Sequence, residues 1–140
     1  MRCLIVDDSA AFVDAARGLL ECQGVTVVGA ASTSAEALQL VAKLRPDVTL
    51  VDINLGADSG FELTEQIHQD ARPAPVILIS THAEQDFADM IAASPALGFL
   101  CKSALSNGAI HDLLGGRDSG DPAGPVSEPR RKVIGAKTRR

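Results

Sequence analysis

Five polar side chains stand directly after short apolar runs, and their types suit the handling of a phosphoryl group. They are Asp7, Asp8, Asp52, Ser80 and Lys102. Three carboxylates held together repel one another and favour a cation between them. Oxygen ligands of this kind suit Mg²⁺ better than Zn²⁺. An ammonium and a hydroxyl can neutralise and hydrogen-bond phosphoryl oxygens, and an aspartate can itself become an aspartyl phosphate.

The apolar runs before these side chains predict the strands of a parallel sheet. Each run has four or five mostly aliphatic residues and no polar alternation, which is typical of strands covered on both faces. The runs are 3–6, 25–28, 48–51, 76–79 and 97–101. Because ligands bind beyond the carboxyl ends of the strands in such sheets, we expect the five polar side chains to converge on one edge.

Helical patterns of apolar residues lie between the predicted strands. Spacings of three and four residues predict amphipathic helices, and Ser34 is expected to cap the second helix, with Glu36 in its first turn. The alternation predicts an α/β fold, a (βα)5 doubly wound sheet with right-handed crossovers. The residues expected to face the core are Phe12, Ala16, Leu19, Leu20, Leu38, Val41, Ala42, Leu63, Ile67, Phe87, Met90, Ile91, Ile110, Leu113 and Leu114.

Length and composition indicate one globular domain. The chain has 140 residues, of which 46% are hydrophobic and 22% charged, and no apolar run approaches the ~20 residues of a membrane span. Asp7 and Asp8 interrupt the first apolar stretch too early for a signal peptide. Cys3, Cys22 and Cys101 are odd in number and lack a CxxC spacing, so we predict buried inert thiols in a cytoplasmic protein, with neither disulfide nor zinc site.

The charge is divided between an acidic body and a basic tail. Residues 1–114 carry 6 Lys and Arg against 15 Asp and Glu, a net of −9, and residues 115–140 carry 7 against 3, a net of +4. We expect residues 115–129, with four Gly and three Pro, to form a flexible segment. This tail is too short and too rich in Gly and Pro for a helix-turn-helix domain, and its cations could contact nucleic acid weakly.

The motifs at the strand ends resemble those of the receiver domains of bacterial two-component response regulators. The resemblance covers residues 1–114 and leaves 115–140 unmatched. In that family, the positions of Asp7 and Asp8 hold a metal ion, that of Asp52 accepts the phosphoryl group, and that of Asn54 lends a backbone carbonyl to the metal. Ser80 matches the switch hydroxyl, Lys102 the lysine that binds phosphoryl oxygens, and Phe99 the aromatic that turns with phosphorylation. The resemblance implies a flavodoxin-like fold with strand order 2-1-3-4-5 and Mg²⁺ as cofactor.

The sequence departs from the family's pattern at several positions. Gly56 stands where Pro is common, and Ser103 follows Lys102 where many members have Pro, so the cis peptide found there in the family is open here. Ser103-Ala104 resembles the receivers attached to LuxR-type DNA-binding domains. Thr81 is bulkier than the usual residue beside the switch hydroxyl, and Thr81 and His82 are expected to tune access and dephosphorylation.

The resemblance implies a phosphorylation switch in a phosphorelay or two-component system, and because the tail is too short for a helix-turn-helix output domain, we expect a stand-alone receiver. A sensor histidine kinase or phosphotransfer protein would phosphorylate Asp52, and the altered surface would bind an unidentified protein partner or a second copy of the chain. We expect no enzymatic activity beyond Mg²⁺-dependent self-phosphorylation and autodephosphorylation, no membrane insertion and no DNA-binding domain.

Other interpretations of the same residues remain open at this point. Asp7 and Asp8 could simply cap a helix, Ser80 could cap a turn, Lys102 could extend along a sheet end, and Phe99 could be plain core. A receiver-like module could bind partners without phosphorylation. A phosphohydrolase is disfavoured because Asn54 replaces the second acid of its Asp-x-Asp pattern, and a nucleotide or flavin module is disfavoured because no glycine-rich loop follows the first strand.

Overall fold

The computed structural model describes residues 1–70 and 73–118, and its core is a five-stranded parallel sheet. The strands in chain order are β1 (Arg2–Val6), β2 (Thr26–Ala31), β3 (Val48–Asp52), β4 (Asn54–Leu55), β5 (Asp58–Ser59), β6 (Val76–Ser80) and β7 (Gly98–Cys101). The sheet has the order β2-β1-β3-β6-β7, while β4 and β5 form a separate antiparallel pair. Counting only the five sheet strands, this order is 2-1-3-4-5, and the predicted flavodoxin-like topology is confirmed.

Five helices connect the strands. They are α1 (Ala10–Cys22), α2 (Ser34–Leu44), α3 (Gly60–His68), α4 (Ala88–Ala93) and α5 (Asn107–Asp118), with 3₁₀ turns at Glu84–Phe87 and Lys102–Ala104. Among the residues that the structure describes, no helix combines the length and the apolar character needed to cross a membrane.

The sheet divides the core into two hydrophobic clusters, one on each face. Along β1, Cys3 and Ile5 belong to the first cluster, which α1 and α5 cover, whereas Leu4 and Val6 belong to the second, which α2 and α3 cover. β3 and β6 alternate in the same way. Because successive side chains of a strand point to opposite faces, a continuous apolar run fills both clusters at once.

Several residues expected in the core lie on the surface instead. Leu19 is 41% exposed and Met90 is 53% exposed, and Ala42 is exposed as well. Each lies beside a residue that does contact the core, but neighbours in a helix are turned about 100° from each other. The apolar stripe of each helix is therefore narrower than predicted.

β7 also differs from the prediction of a strand covered on both faces. All four of its residues are only half-buried. β7 pairs with β6 on one side and has no partner on the other, because it is an edge strand of the sheet. Its apolar sequence reflects packing on part of its surface rather than complete burial.

The cap of α2 lies one residue earlier than predicted. The oxygen of the Thr33 side chain accepts a hydrogen bond from the N–H of Glu36 at 3.2 Å, and Thr33 has the extended backbone of a cap residue. The Glu36 carboxylate in turn accepts from the N–H of Ser32 at 3.0 Å. Ser34 is therefore the first helical residue, while Glu36 lies in the first turn as expected.

The last helix passes the boundary predicted at residue 114. α5 continues to Asp118, so Gly115 and the residues after it up to 118 are helical rather than part of a flexible segment. The rest of the predicted basic tail, residues 119–140, lies outside the described residues.

Candidate phosphoacceptor site

Three carboxylates meet at the carboxyl edge of the sheet. Asp7 and Asp8 follow β1, Asp52 ends β3, and β1 and β3 are neighbours in register. One carboxylate oxygen from each of the three lies within 4.8 Å of the others. Asp7 and Asp52 are buried, whereas Asp8 is exposed. The cluster thus opens to solvent on the Asp8 side.

Lys102 brings a positive charge to the two buried carboxylates. It follows β7, and its Nζ lies 2.6 Å from Oδ2 of Asp7 and 3.4 Å from Oδ2 of Asp52. Its ammonium also stands 4.3 Å from the centre of the Phe12 ring, a favourable cation–π contact. The side chain of Lys102 is only 13% exposed. The carboxylates of Asp7 and Asp52 and the ring of Phe12 therefore hold the ammonium at the ends of β1 and β3.

Backbone N–H groups hold the other oxygen of each buried carboxylate. Oδ1 of Asp7 accepts from the N–H of Ser9 at 2.9 Å, and Oδ1 of Asp52 accepts from the N–H of Asn54 at 3.2 Å. Both carboxylates are thus oriented with Oδ2 toward Lys102. Ser9 also caps α1 by accepting from the N–H of Phe12, so the start of the helix and the site are built together.

The loop after Asp52 needs glycine at two positions. Gly56 has φ +67°, which glycine adopts without strain and which proline, with its fixed negative φ, cannot. A Cβ on Gly60 would overlap the backbone oxygen of Asp52 and lie 2.8 Å from Cα of Ile53. Gly60 therefore lets α3 begin directly against the strand end that carries Asp52.

The two charged partners shift each other's ionisation. Burial raises the pKa of Asp52 and the Asp7 charge adds to this, while the Asn54 N–H and Lys102 oppose it. Burial works to lower the pKa of Lys102, but the hydrogen bond to Asp7 and the charge of Asp52 together raise it. The ammonium therefore stays protonated at neutral pH.

The donor set fits a hard divalent cation. Three carboxylates outnumber the one ammonium, which leaves a charge of −2 when all are ionised. All three offer oxygen, and none of the described histidines or cysteines joins them. Such a site suits Mg²⁺, which prefers carboxylates, water and phosphate oxygens.

Ser80 and its neighbours lie beside the acidic cluster. Ser80 ends β6, is buried, and pairs with Cys101, the residue before Lys102. Its Oγ accepts from the N–H of His82 at 3.0 Å and lies 3.5 Å from Nδ1 of His82. Thr81 and His82, the two residues after Ser80, are exposed. Ser80 thus bonds to the turn that follows β6, and its register partner Cys101 is the residue before Lys102.

Phe99 and Asn54 occupy different surroundings. Phe99 lies on β7 opposite Leu78, is half-buried, and packs against the second hydrophobic cluster. Asn54 is exposed in β4, two residues from Asp52. No described peptide bond is cis, so the bond between Lys102 and Ser103 is trans.

The cysteines only partly follow the sequence prediction. Cys3 is fully buried, and burial raises the pKa of its thiol to about 12. Cys22 is exposed and Cys101 is half-buried, which corrects the expectation that all three lie in the core. Hydrogen bonds with Ser103 lower the pKa of the Cys101 thiol.

Sequence reasoning missed two residues that shape the site. Phe12 was expected only as part of the apolar face of α1, yet its ring supports Lys102. Ser9 follows the paired acids directly and caps α1. A serine three residues before the first apolar residue of a helix is a recognisable cap signal, whereas nothing in the sequence marks an aromatic ring as a cation's partner.

A family model described as the response regulator receiver domain matches residues 3–114. The chain is 31% identical over 114 residues to the uncharacterized transcriptional regulatory protein YvfU of Bacillus subtilis, covering 81% of this chain and 55% of that protein. It is 34% identical over 97 residues to protein-glutamate methylesterase/protein-glutamine glutaminase 3 of Hahella chejuensis, covering 69% of this chain but only 27% of that enzyme. Thus the chain corresponds to about half or less of each relative.

The structure of a two-component response regulator of the LuxR family from Aurantimonas sp. SI85-9A1 is similar in fold. The two share 30% identity with a TM-score of 0.72, over 82% of this chain and 85% of that one. This agrees with the likeness of Ser103-Ala104 to LuxR-type receivers. The family match, the fold and the acidic site together show that this chain belongs to the response regulator receiver domain family.

Proposed function

We propose that Asp52 accepts a phosphoryl group from a sensor histidine kinase or a phosphotransfer protein and thereby switches the binding of a protein partner. The observation that carries this proposal is the position of the Asp52 carboxylate, which lies beside two further carboxylates and 3.4 Å from the Lys102 ammonium. This arrangement pairs a nucleophile with groups that can neutralise the charge of an arriving phosphoryl group.

The transfer balances without a proton on Asp52. An ionised carboxylate oxygen of Asp52 forms a bond to phosphorus, and the bond from phosphorus to the donor's imidazole nitrogen breaks. The electron pair of that bond stays on the nitrogen that held phosphorus, and the donor ring leaves as neutral imidazole because its other nitrogen carries a proton taken up from water. Lys102 needs to move only between neighbouring oxygens to follow the new negative charge, because it already contacts Asp52.

Asp7, Asp8 and Asp52, with the backbone carbonyl of Asn54, would hold Mg²⁺. When bound, the ion supplies positive charge to the phosphoryl oxygens as their negative charge grows. Asp7 also retains Lys102 at 2.6 Å, so it orients the ammonium as well as contributing charge to the metal site.

Ser80 and Phe99 would carry the signal away from Asp52. The Ser80 hydroxyl would donate to a phosphoryl oxygen while still accepting from the His82 N–H. Its movement would let Phe99 turn inward from its half-buried place on β7. The surface formed by β7 and the helices on either side of it would then change, which is the usual form of a local phosphorylation switch.

We propose that this surface is read by a partner protein or by a second copy of the chain, and that Thr81 and His82 set how readily water and donors reach Asp52. Both residues are exposed beside Ser80. In this proposal the receiver acts as a regulator rather than an enzyme. Asn54 in place of a second acid supports this, since a phosphohydrolase needs that acid for proton transfer.

Intact mass spectrometry tests the proposal directly. The full chain is incubated with acetyl phosphate, with and without Mg²⁺, beside Asp52→Asn. Asp14→Asn is the matched control, because Asp14 is an exposed acid on α1 away from the cluster. We expect one phosphoryl adduct in the original chain and in Asp14→Asn, and none without Mg²⁺ or in Asp52→Asn.

Two outcomes would contradict the proposal. An adduct that persists in Asp52→Asn would place the acceptor elsewhere. No adduct with acetyl phosphate, and none with phosphorylated histidine kinases as donors, would favour a module that binds partners without phosphorylation.

A further inference from the structure

An apolar groove lies between α3 and α4, away from the acidic site. It has a volume of about 240 Å³ and is lined by Phe61, Glu62, Glu65, Met90, Ala93 and Ser94. Met90 is 53% exposed there, although a methionine in a small domain is normally covered. An exposed methionine beside an aromatic ring is typical of a surface that binds another chain segment.

The rim of the groove is acidic. Segments 60–68 and 84–93 contain no lysine or arginine, and their five acids are Glu62, Glu65, Glu84, Asp86 and Asp89. Two of these, Glu62 and Glu65, line the groove itself. The groove therefore favours an occupant with a short apolar centre and positive flanks.

The same chain contains a segment of this composition. Residues 130–140 hold an aliphatic pair, Val133-Ile134, between Arg130, Arg131 and Lys132 on one side and Lys137, Arg139 and Arg140 on the other. The segment has no acidic residue. Its pattern of charge and hydrophobicity is complementary to that of the groove.

The end of α5 lies close enough for this segment to reach the groove. Leu113 of α5 packs against the start of β7, where a Cβ on Gly98 would lie 2.9 Å from Leu113 Cδ2. Ser94 of the groove precedes the same strand by only a few residues. The 14 residues from 119 to 132 span up to about 45 Å when extended, whereas a domain of this size is about 35 Å across.

We propose that residues 130–140 bind back onto the groove between α3 and α4 of the same molecule. Val133 and Ile134 cover Phe61 and Met90, and the flanking cations pair with Glu62 and Glu65. Because the segment is tethered, its effective concentration is on the order of millimolar, so a weak contact suffices. The inference goes beyond the proposed function, since it needs neither phosphorylation nor a metal.

The two methionines of the chain make this inference measurable. Met90 lies in the groove, while Met1 packs against the first cluster on the other face of the sheet. We would label both with ¹³C-methyl methionine in the full chain, without phosphodonor and with EDTA. The Met90 methyl shift reports occupation of the groove, and the Met1 methyl shift is the internal reference.

Substitution of the aliphatic pair is the central comparison. We expect Val133→Ser with Ile134→Ser to move the Met90 methyl resonance and leave Met1 in place. The matched control is Val126→Ser, which removes an aliphatic side chain outside the docking segment and should move neither resonance. In the background of Glu62→Lys with Glu65→Lys, the substitutions at Val133 and Ile134 should no longer shift the Met90 resonance, because the docked state is already lost. Adding 1 M salt should likewise reduce the effect of the tail substitutions, since it screens the ion pairs.

Three results would overturn the proposal. The first is an identical Met90 shift with and without Val133 and Ile134 at low salt. The second is a shift that depends on protein concentration, which would place the tail on a second copy. The third is an unchanged Met90 together with loss of nucleic-acid binding in the tail variant, which would assign the segment to nucleic acid. Each of these results is independent of whether Asp52 is phosphorylated.

Discussion

Asp52 is held in a place that disfavours its own charge. It is buried, it faces Asp7, and only the Asn54 N–H and Lys102 compensate, so its pKa is raised above the usual value. A carboxylate in such a place is stabilised by a bound cation. The same features that cost folding free energy prepare the group for chemistry.

We predict that Asp52→Asn stabilises the fold when metal is absent. The raised pKa means that the folded state holds the Asp52 proton more tightly than the unfolded state does, so ionisation lowers stability as the pH rises above 3.8. The gain of the variant should be absent below that pH and reach about 1 kcal/mol at neutral pH. Urea unfolding in EDTA from pH 3 to pH 7 measures it.

Adding Mg²⁺ distinguishes relief of the buried Asp52 charge from a general gain in stability in Asp52→Asn. Mg²⁺ should stabilise the original chain more than Asp52→Asn, since binding to the folded state alone raises stability by mass action. Asp14→Asn should behave like the original chain throughout. A pH-independent gain in Asp52→Asn would show that burial of the charge is not the cause.

Strand ends in a parallel sheet share one edge, so the sequence indicated that Asp7, Asp8, Asp52 and Lys102 would meet, and the structure brings these side chains together. The sequence could not predict which carboxylate Lys102 would approach more closely, and the structure favours Asp7 at 2.6 Å over Asp52 at 3.4 Å. Which carboxylate lies closer to Lys102 depends on where the ends of β1, β3 and β7 lie relative to one another, and the local sequence pattern does not contain that information. The ring of Phe12 under Lys102 was missed for the same reason.

At the scale of the elements, the cap of α2 shows where local rules are ambiguous. Thr33 and Ser34 are adjacent and both are good cap residues, so the sequence alone could not decide between them. The structure gives this role to Thr33 because its backbone is extended while Ser34 is already helical. The short pair β4–β5 was not predicted either, because two-residue strands have no periodicity.

We predict that Thr33→Ala costs about 1 kcal/mol of unfolding free energy, because the Glu36 N–H loses its partner. Ser34→Ala is the matched control. It should change stability by less than about 0.5 kcal/mol, since Ser34 bonds to Asp58 through its backbone N–H, which alanine retains. Chemical unfolding compares the two, and an equal loss in both would contradict the assignment.

Gly60 joins α3 to the site, and we predict that Gly60→Ala is strongly destabilising. The new Cβ would overlap the backbone of Asp52, so the helix and the strand end must separate, at a cost of about 3 kcal/mol. Thermal unfolding measures the loss.

Gly18 provides the control for that substitution. It lies inside α1 with open space around it, and Gly18→Ala should stabilise the chain by about 0.5 to 1 kcal/mol. If Gly60→Ala were as harmless as Gly18→Ala, α3 would not begin as closely against Asp52 as the structure has it.

At the scale of the whole molecule, the central strands of the sheet are buried, whereas the side formed by β7 and α4 is partly exposed. β1, β3 and β6 are almost completely buried, while β7 and α4 are not. The proposed switch residue Phe99 lies on β7, and the groove proposed for the tail lies along α4. Regions that change with a signal are generally drawn from the less stable part of a fold.

We predict that amide hydrogen exchange follows this division. Amides of β1, β3 and β6 should exchange only through global unfolding, and those of β7 and α4 at least about tenfold faster. Mass spectrometry of peptic fragments measures both sets in one sample. Equal protection of β7 and β3 would mean that the half-exposed edge is as stable as the centre.

Each central strand of the sheet contributes side chains to both hydrophobic clusters. For the site, the number of residues in a central strand therefore matters more than how hydrophobic they are. A single-residue insertion in β3 between Val48 and Thr49 would exchange the faces of Leu50 and Val51, yet both faces would stay largely apolar. The sheet would still fold, but Asp52 would be displaced along β3 and would no longer lie beside Asp7 and Lys102. Small insertions and deletions in these strands are therefore expected to abolish the proposed phosphorylation of Asp52 while leaving a folded protein.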